Sequence, residues 1–241
     1  MDIAKRKAMS GRYPLVSFRI RNTFPRLAPA LVKRFEKYPL CDISDKVGRM
    51  YTMDDTIRPF YEPAPKLLGT ALTVKCPPGD NMGVKKALQM IEPGDVLVVD
   101  ALGFTEWCLG GYDMLILAIQ ERGMKGLMVN GAYRDVALAK AANFPIYCKG
   151  AAPYSGHKLG PFEINVPVCC GGVIVHPGDL VTASEGEGAV VVPQGYAAPI
   201  ADTIDDYKKT VVDRSWAVKR EADRDEYFET VFKERSGVYL D

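Results

Sequence analysis

The alternation of hydrophobic and polar positions is most informative between residues 111 and 135, which read GYDMLILAIQERGMKGLMVNGAYRD. Residues 112–122 begin with an apolar run, become polar and stop at Gly123, which predicts a largely buried helix with a glycine signal at its end. Asp113 would lie in the first turn, where the helix dipole favours a negative charge. The apolar segment 126–130 predicts a short strand.

The lengths of these two elements predict that Arg134 and Asp135 lie close to Asp113. A ten-residue helix advances roughly 15 Å at 1.5 Å per residue, and a five-residue strand returns roughly 16 Å. Gly131 suits a turn with positive φ after the strand. Two carboxylates at such a rim can hold a divalent cation through oxygen ligands and water, and a guanidinium can bind an anionic substrate oxygen. The alternative is that Arg134 and Asp135 only cap or salt-bridge a turn, with Asp113 as an ordinary helix-start charge.

The first half of the chain predicts helices and strands in alternation. Two helical segments are expected at 27–38 and 43–50, before a proline-rich break. The β-branched segment 68–75 predicts a strand, and the loop CPPGDN at 76–81 leads into a helix at 82–91. Further strands are expected at 96–99 and 145–148.

The second half changes character from Gly150 onward. Glycine-rich and His-Pro-Gly-Asp turns divide short apolar segments, which predicts antiparallel β-structure. These segments are 164–170, 173–176, 180–183 and 189–192. The charged, amphipathic tail predicts one or two helices that dock on another subunit. The predicted domains are an N-terminal extension (1–40), one catalytic domain (41–195) and a C-terminal helical tail (196–241).

Composition excludes several classes of function. A chain of 241 residues can form one sizeable domain. Its 31 basic and 30 acidic residues give a net charge of +1, which provides no bulk attraction for nucleic acid or for an anionic membrane. The basic residues near the start are expected to form a solvated arm; they are Lys5, Arg6, Lys7, Arg12, Arg19, Arg21 and Arg26. The longest aliphatic run has far fewer than the roughly 20 residues that cross a bilayer, and the start lacks an apolar signal core, so a cytoplasmic location is expected.

The spacing of the cysteines and glycines indicates which cofactors and cross-links are not expected. None of the six cysteines forms a C-x-x-C pair, so reduced, partly buried thiols are expected rather than a metal or disulfide framework. The glycines at 186 and 188 precede a predicted strand, whereas a dinucleotide-binding fingerprint places its glycines after one. A nucleotide cofactor is therefore not expected.

Several ordered motifs resemble one family. They are CPPGDN at 76–81, PGDVLVVD at 93–100, the spaced Asp113 and Arg134-Asp135, FPIYCKG at 144–150, NVPVCCGGVIVHPGDLV at 165–181 and GAVVVP at 188–193. Together they resemble the 4-hydroxy-4-methyl-2-oxoglutarate and 4-carboxy-4-hydroxy-2-oxoadipate aldolases, a family that also contains the regulator of ribonuclease activity A. The resemblance implies an α/β fold, the three-layer β/β/α swivelling-domain (RraA-like) fold, with N- and C-terminal helical extensions. It also implies homotrimers or homohexamers with active sites between subunits.

The resemblance assigns roles to individual residues. Mg²⁺ or Mn²⁺ would be held by Asp135, while Asp113 would bind water coordinated to that metal. Arg134 would contact the pyruvyl oxygen, and backbone amides at the start of the helix would bind the pyruvate carboxylate, in line with the affinity of helix N-termini for anions. The residues assigned to substrate binding are Arg134, Gly111, Tyr112, Met114 and Leu115.

The implied reaction is that of a class II aldolase. A 4-hydroxy-2-oxo dicarboxylic or tricarboxylic acid would be cleaved to pyruvate and a second keto acid, because a cation and a guanidinium stabilise the developing enolate. Oxaloacetate decarboxylation would be a side activity, since it passes through the same enolate. The distal half of the substrate would be recognised by variable loops, for which Tyr112, Glu106, Trp107 and His157 are candidates.

The sequence departs from the family at several positions. Leu138 stands where an acid often follows the Arg-Asp pair, and Tyr112 replaces a usual glycine. For the acid that a neighbouring subunit contributes in known enzymes, Asp213 and Glu221 are the candidates in the divergent tail. His157 and His176 lie outside the matched residues and are expected to be structural.

The sequence leaves two other functions open. A class I aldolase would form a Schiff base on Lys75, because burial at the end of an apolar strand would favour the neutral amine. A non-catalytic regulator would bind and inhibit a ribonuclease. Retention of Asp113, Arg134 and Asp135 favours the metal-dependent enzyme, because a pure binding module does not need them.

Overall fold

The computed structural model describes residues 18–209 and 212–240. Its strands are β1 (Arg19–Ile20), β2 (Arg58–Pro59), β3 (Leu67–Lys75), β4 (Asp95–Asp100), β5 (Gly126–Tyr133), β6 (Ile146–Ala151), β7 (Glu163–Ile164), β8 (Val168–Cys170), β9 (Val173–Val175), β10 (Leu180–Ser184) and β11 (Gly188–Val192). Its α-helices are α1 (Pro29–Arg34), α2 (Leu40–Val47), α3 (Met82–Leu88), α4 (Ile116–Gln120), α5 (Val136–Ala141), α6 (Ala197–Tyr207) and α7 (Arg214–Glu234). Segments of 3₁₀-helix occur at Phe35–Lys37, Arg49–Tyr51, Tyr112–Leu115 and Gln194–Tyr196.

A mixed sheet forms the centre of the fold. Strands β3, β4, β5 and β6 are parallel and lie side by side in chain order. On the outer side of β3, β7 and β10 pair with it antiparallel, and β11 continues from β10. Strands β8 and β9 form a separate antiparallel pair. The carboxyl ends of the parallel strands therefore meet at one edge, the usual place for a ligand site in such sheets.

Each face of the sheet carries its own hydrophobic layer, because successive strand residues point to opposite sides. Leu97 and Leu127 pack with helical residues such as Val84 and Ala139 on one face. On the other face, Val98 and its neighbours pack against β8 to β11. The resulting order of helices, central sheet and second β layer agrees with the predicted β/β/α arrangement, and the antiparallel pairing of the second half is confirmed.

The structure corrects the prediction of one largely buried helix over 112–122. A 3₁₀ segment, Tyr112–Leu115, precedes the short helix α4. Only Leu115 and Ala118 of the apolar run are buried, whereas Ile116 is 38% and Leu117 54% exposed. The physical reason is that a helix packed on one side of a sheet buries a single stripe of residues. The helix ends at Gln120, two residues short of the predicted bound, and the positive φ of 71° at Gly123 follows in the next turn.

The structure also corrects the prediction for Gly131. Strand β5 continues through this residue to Tyr133, so no turn follows residue 130. A Cβ on Gly131 would lie 3.0 Å from the Phe104 carbonyl oxygen and 3.1 Å from the Ala101 Cβ. Glycine is needed here for close packing beside an irregularity in the β5–β6 register, and not for a positive φ.

Other predicted elements are present with shifted bounds. The predicted helix at 27–38 is α1 followed by a 3₁₀ turn, and the helix at 82–91 ends at Leu88. The predicted strand at 164–170 is interrupted between β7 and β8. All six cysteines are free thiols, as expected.

The described part of the chain divides into two compact units, of which the first ends at Ala201 and the second begins at Asp202. The tail contains two helices, α6 and α7, as predicted. Of the predicted basic arm, Lys5, Arg6, Lys7 and Arg12 lie outside the described residues, and Arg19 and Arg21 are exposed. The prediction is wrong for Arg26, because its guanidinium donates two hydrogen bonds to the buried Asp95 carboxylate. Among the described helices, none has both the length and the apolar content that crossing a membrane requires.

Candidate active site

The segment before Asp113 runs beside the end of β5. The Leu109 amide donates to the Ala132 carbonyl at 2.9 Å, and the Arg134 amide donates to the Gly110 carbonyl at 3.1 Å. Cys108 forms a bridge with Ala132 in the same region. These backbone bonds bring the start of the 3₁₀ segment to the carboxyl end of β5. They also explain why Asp113 lies close to Arg134 and Asp135, as predicted, although β5 is three residues longer than the predicted strand.

Gly111 lies between the two carboxylates. A Cβ at this position would lie 2.0 Å from Asp135 Oδ2 and 2.8 Å from Asp113 Oδ1. The Tyr112 amide donates to Asp135 Oδ2 at 3.1 Å. Both carboxylates therefore converge on the space that the missing side chain leaves.

The backbone conformation of Asp135 turns its side chain towards Gly111. Asp135 has a φ of 68° and precedes α5, and its carbonyl accepts from the Leu138 and Ala139 amides at 3.1 Å each. Positive φ is uncommon for a residue other than glycine and often marks a functional site. Leu138, three residues after Asp135, stands where an acid is often found in the family, and it is 55% exposed.

Arg134 is held at one end and has an unused donor at the other. Its Nη1 donates to the Pro153 carbonyl at 3.3 Å. Its Nε is 4.0 Å from Asp135 Oδ1, too far for a hydrogen bond. Within the described chain this buried Nε has no hydrogen-bond partner, although an unsatisfied buried donor is costly. An anionic or carbonyl oxygen beside Asp135 would satisfy it.

Tyr133 is a site residue that the sequence analysis missed. It is fully buried, and its hydroxyl donates to the Gly111 carbonyl at 3.0 Å. Burial raises its pKa well above the usual value, and the neighbouring Asp113 adds to this effect. The neutral hydroxyl therefore fixes the glycine segment to β5. The available signal was an aromatic residue at the end of a buried strand, directly before the Arg-Asp pair.

The remaining substrate-binding candidates lie in the same segment but differ in what they offer. The Met114 amide already donates to the Gly111 carbonyl at 3.1 Å, and Leu115 is fully buried. The Tyr112 ring packs edge-on against Phe144 at 6.4 Å between centroids. The Met114 amide is therefore not free in this conformation to bind a substrate carboxylate, as the resemblance had implied for the amides at the start of the helix.

Several other candidates have structural contacts. The His157 ring packs on Trp107 at 5.0 Å, and the His176 amide donates to Asp179 Oδ2 at 2.8 Å. Asp213 Oδ1 accepts from the Trp216 amide at the start of α7. Lys75 is exposed at the end of β3, so the burial that the Schiff-base alternative requires is absent.

Two carboxylates, rather than a larger set of protein ligands, are available for a cation. Among the described residues there is no cluster of three or more His, Cys, Asp or Glu side chains with metal-binding geometry. Mg²⁺ nevertheless binds typically through one or two carboxylates, with water and substrate completing the coordination. Asp113 and Asp135 satisfy that requirement.

The fold and the site define an α/β protein with a carboxylate and guanidinium centre at the carboxyl edge of a parallel sheet. The chain belongs to the RraA-like family, because the Aldolase/RraA family model matches residues 40–191. The predicted family and fold are thereby confirmed.

Individual relatives carry names of two kinds. A Halalkalibacterium halodurans protein named "Putative 4-hydroxy-4-methyl-2-oxoglutarate aldolase" is 38% identical over 164 residues, which cover 68% of this chain and 77% of the relative. The structure of Streptomyces coelicolor RraAS2, described as an unusual member of the RNase ES inhibitor RraA family, matches with a TM-score of 0.69 and 30% identity over 78% of this chain and 96% of that one. RraA from Thermus thermophilis, described as an RNA-processing inhibitor, matches with a TM-score of 0.59 and 27% identity over 66% of this chain and 94% of that one.

Proposed function

We propose that this protein is a divalent-metal-dependent pyruvate aldolase acting on 4-hydroxy-2-oxo dicarboxylic or tricarboxylic acids. The observation that carries the proposal is the convergence of Asp113 and Asp135 at Gly111, beside the unpartnered Nε of Arg134. Two close carboxylates repel each other unless a cation lies between them. The names of the relatives support the same class of reaction.

Asp135 and Asp113 would hold the cation, Mg²⁺ or Mn²⁺, directly or through water. When bound, such an ion acts as a Lewis acid towards a carbonyl oxygen. Both side chains are accessible enough for this role, since Asp113 is exposed and the Asp135 side chain is 30% exposed. Tyr133 would keep the segment that carries Asp113 in place.

Arg134 would donate from Nε to the α-keto oxygen of the substrate. In the cleavage, a water molecule at the site would accept the proton of the C4 hydroxyl, the C3–C4 bond would break, and its electron pair would move into the pyruvyl half as an enolate. The second half leaves as a keto acid, and protonation at C3 completes pyruvate. A guanidinium already in position stabilises the enolate oxygen without reorganisation. Oxaloacetate would give the same enolate with loss of CO₂, hence the proposed side activity.

We further propose that the active site is completed in a homotrimer or homohexamer. Exposed apolar residues follow each carboxylate along the chain, namely Ile116 and Leu117 after Asp113, and Val136 and Leu138 after Asp135. Exposed apolar side chains beside a polar centre are typical of a protein interface. Sedimentation equilibrium should give a mass of three or six chains, and Leu117→Asp with Leu138→Asp should lower it. A monomeric wild-type protein would contradict the proposal.

The decisive experiment is pyruvate release from oxaloacetate and from a panel of 4-hydroxy-2-oxo acids, with Mg²⁺, with Mn²⁺ and with EDTA. We expect activity that depends on the metal, is lost in Asp135→Ala and falls by at least 100-fold in Arg134→Ala, the size of effect that removal of one transition-state donor produces. Asp45→Ala, which removes an exposed acid elsewhere, is the matched control. Undiminished release by the Asp135 and Arg134 variants would refute the assignment.

A readout without substrate tests the cation site separately. A ligand present at 100 times its Kd stabilises the folded state by about 2.7 kcal/mol, so Mn²⁺ should raise the Tm of the wild-type protein. The shift should vanish in Asp135→Asn and persist in Asp45→Asn. Activity that resists EDTA, together with borohydride trapping of pyruvate on the protein, would instead support a Schiff-base mechanism.

A second candidate is a non-catalytic regulator of a ribonuclease. The similarity to Streptomyces coelicolor RraAS2 at 30% identity favours it. The discriminating assay is RNA cleavage by RNase ES with and without equimolar protein. Inhibition together with no metal-dependent pyruvate release would favour the regulator. We expect the opposite pattern.

A further inference from the structure

A large cleft lies at the opposite edge of the sheet from the candidate active site. It has a volume of about 630 Å³ and lies between α1 and the amino ends of the parallel strands. Thr70 and Asp95, which pair across β3 and β4, line it together with Lys125, the residue before β5. Strand β5 spans eight residues, or roughly 26 Å at 3.3 Å per residue, between this cleft and Arg134. The cleft is therefore separate from the active site.

Ion pairs and hydrogen bonds hold one wall of the cleft in place. Arg26 donates from Nε and Nη2 to the two carboxylate oxygens of Asp95, at 2.9 Å each. The Asp95 side chain is fully buried, and the guanidinium also packs on the Phe24 ring at 4.2 Å. Lys66 donates to the Phe35, Glu36 and Tyr38 carbonyls. These contacts preorganise the cleft, which lowers the cost of binding.

The charges that line the cleft are unbalanced. Among the described residues that line it, four cations face two acids, Glu36 and Asp95, and Asp95 is paired with Arg26. Neither Lys33 nor Lys125 has an ion-pair partner within the described ranges. The rim therefore offers two free ammonium groups to an anion.

The rest of the lining is apolar. Val32, Leu27 and Leu68 line the cleft and are only partly buried. Its size falls within the roughly 300–1,000 Å³ range of small-molecule sites, which combine apolar walls with a few polar groups. An apolar lining below two free cations matches a ligand with an apolar body and an anionic group.

We propose that this cleft binds a small organic anion with an apolar body, held by Lys33 and Lys125 over the Val32 and Leu68 side chains. The occupant would be a carboxylate or sulfonate rather than a neutral molecule, because the net charge of the lining is positive. It would differ from the aldolase substrate in needing an apolar body.

The test uses 8-anilinonaphthalene-1-sulfonate and its uncharged counterpart N-phenyl-1-naphthylamine, titrated by fluorescence into the full chain. We expect saturable binding of the sulfonate near one molecule per chain and much weaker binding of the neutral probe. Reversing both free charges in Lys33→Glu/Lys125→Glu should weaken sulfonate binding about tenfold or more. The matched control, Lys86→Glu/Lys233→Glu, makes the same change in net charge at two other exposed lysines and should change binding less than threefold.

A separate variant tests the apolar contribution. Val32→Asp should also weaken binding of the sulfonate, while circular dichroism reports an intact fold. Equal sulfonate affinity in the lysine test and control pairs would overturn the proposal, as would tight binding of the neutral probe. A lower mass for Lys33→Glu/Lys125→Glu in sedimentation equilibrium would also overturn it, because a second copy of the chain would then cover the cleft.

Discussion

Replacing Gly111 by alanine tests the site most directly. Gly111 has φ −120° and ψ 168°, an extended conformation that alanine adopts without strain. The whole effect must therefore come from the added methyl group. That group would lie 2.0 Å from Asp135 Oδ2 and 2.8 Å from Asp113 Oδ1, well inside the contact distance of about 3.5 Å.

One or both carboxylates must move to make room. Inserting a methyl group into a packed site costs about 1–3 kcal/mol, and a displacement of about 1 Å in a catalytic group can lower the rate 100-fold. We therefore expect Gly111→Ala to lose about 1–3 kcal/mol of stability, at least 100-fold in kcat for pyruvate release, and most of the Mn²⁺-induced rise in Tm.

Gly150→Ala is the matched control. A Cβ at Gly150 would meet no atom within 4 Å, although this residue lies in β6 beside β5. Its stability should stay within about 0.5 kcal/mol of the wild type, with unchanged activity. If Gly111→Ala matched Gly150→Ala in stability, in rate and in response to Mn²⁺, the two carboxylates could not converge as described and the reasoning would fail.

Three further predictions concern the core. Tyr133→Phe removes the hydrogen bond to Gly111, so urea unfolding should show a loss of about 1 kcal/mol and pyruvate release should slow. Burial raises the pKa of the Cys76 and Cys148 thiols from 9.0 to about 12. Between these pH values the unfolded chain binds fewer protons than the folded one. The free energy of unfolding should therefore fall as pH rises above 9, by about 1.4 kcal/mol per pH unit for each thiol. A free energy of unfolding that stays constant from pH 9 to 11 would contradict this. The exposed Cys41 should react with thiol reagents at neutral pH, whereas Cys76 and Cys148 should react only after unfolding; mass spectrometry of the labelled peptides checks this.

The hydrophobic pattern alone predicted the type and order of many elements. The apolar segments at 68–75, 96–99 and 126–130 are strands, and the antiparallel character of the second half is confirmed. Such features follow from local periodicity, which a single sequence contains. The spacing of Asp113 from Arg134-Asp135 also predicted that they lie close together, but the helix and strand lengths assumed for it were wrong, and backbone pairing beside the end of β5 is what brings them together.

Only the tertiary structure decided the environment of each side chain. The sequence could not show that Gly111 makes room for two carboxylates, or that Tyr133 fixes that segment, because Asp135 and Tyr133 are each more than twenty positions from Gly111. It also misassigned Gly131, since a glycine in a turn and a glycine under a crossing chain look alike in sequence. The cleft beside α1 likewise results from tertiary packing, because Lys33 of α1 and Lys125 before β5 lie far apart in the chain and only packing brings them to one cleft. Local pattern determines which element forms, whereas the contacts between elements decide what each residue does.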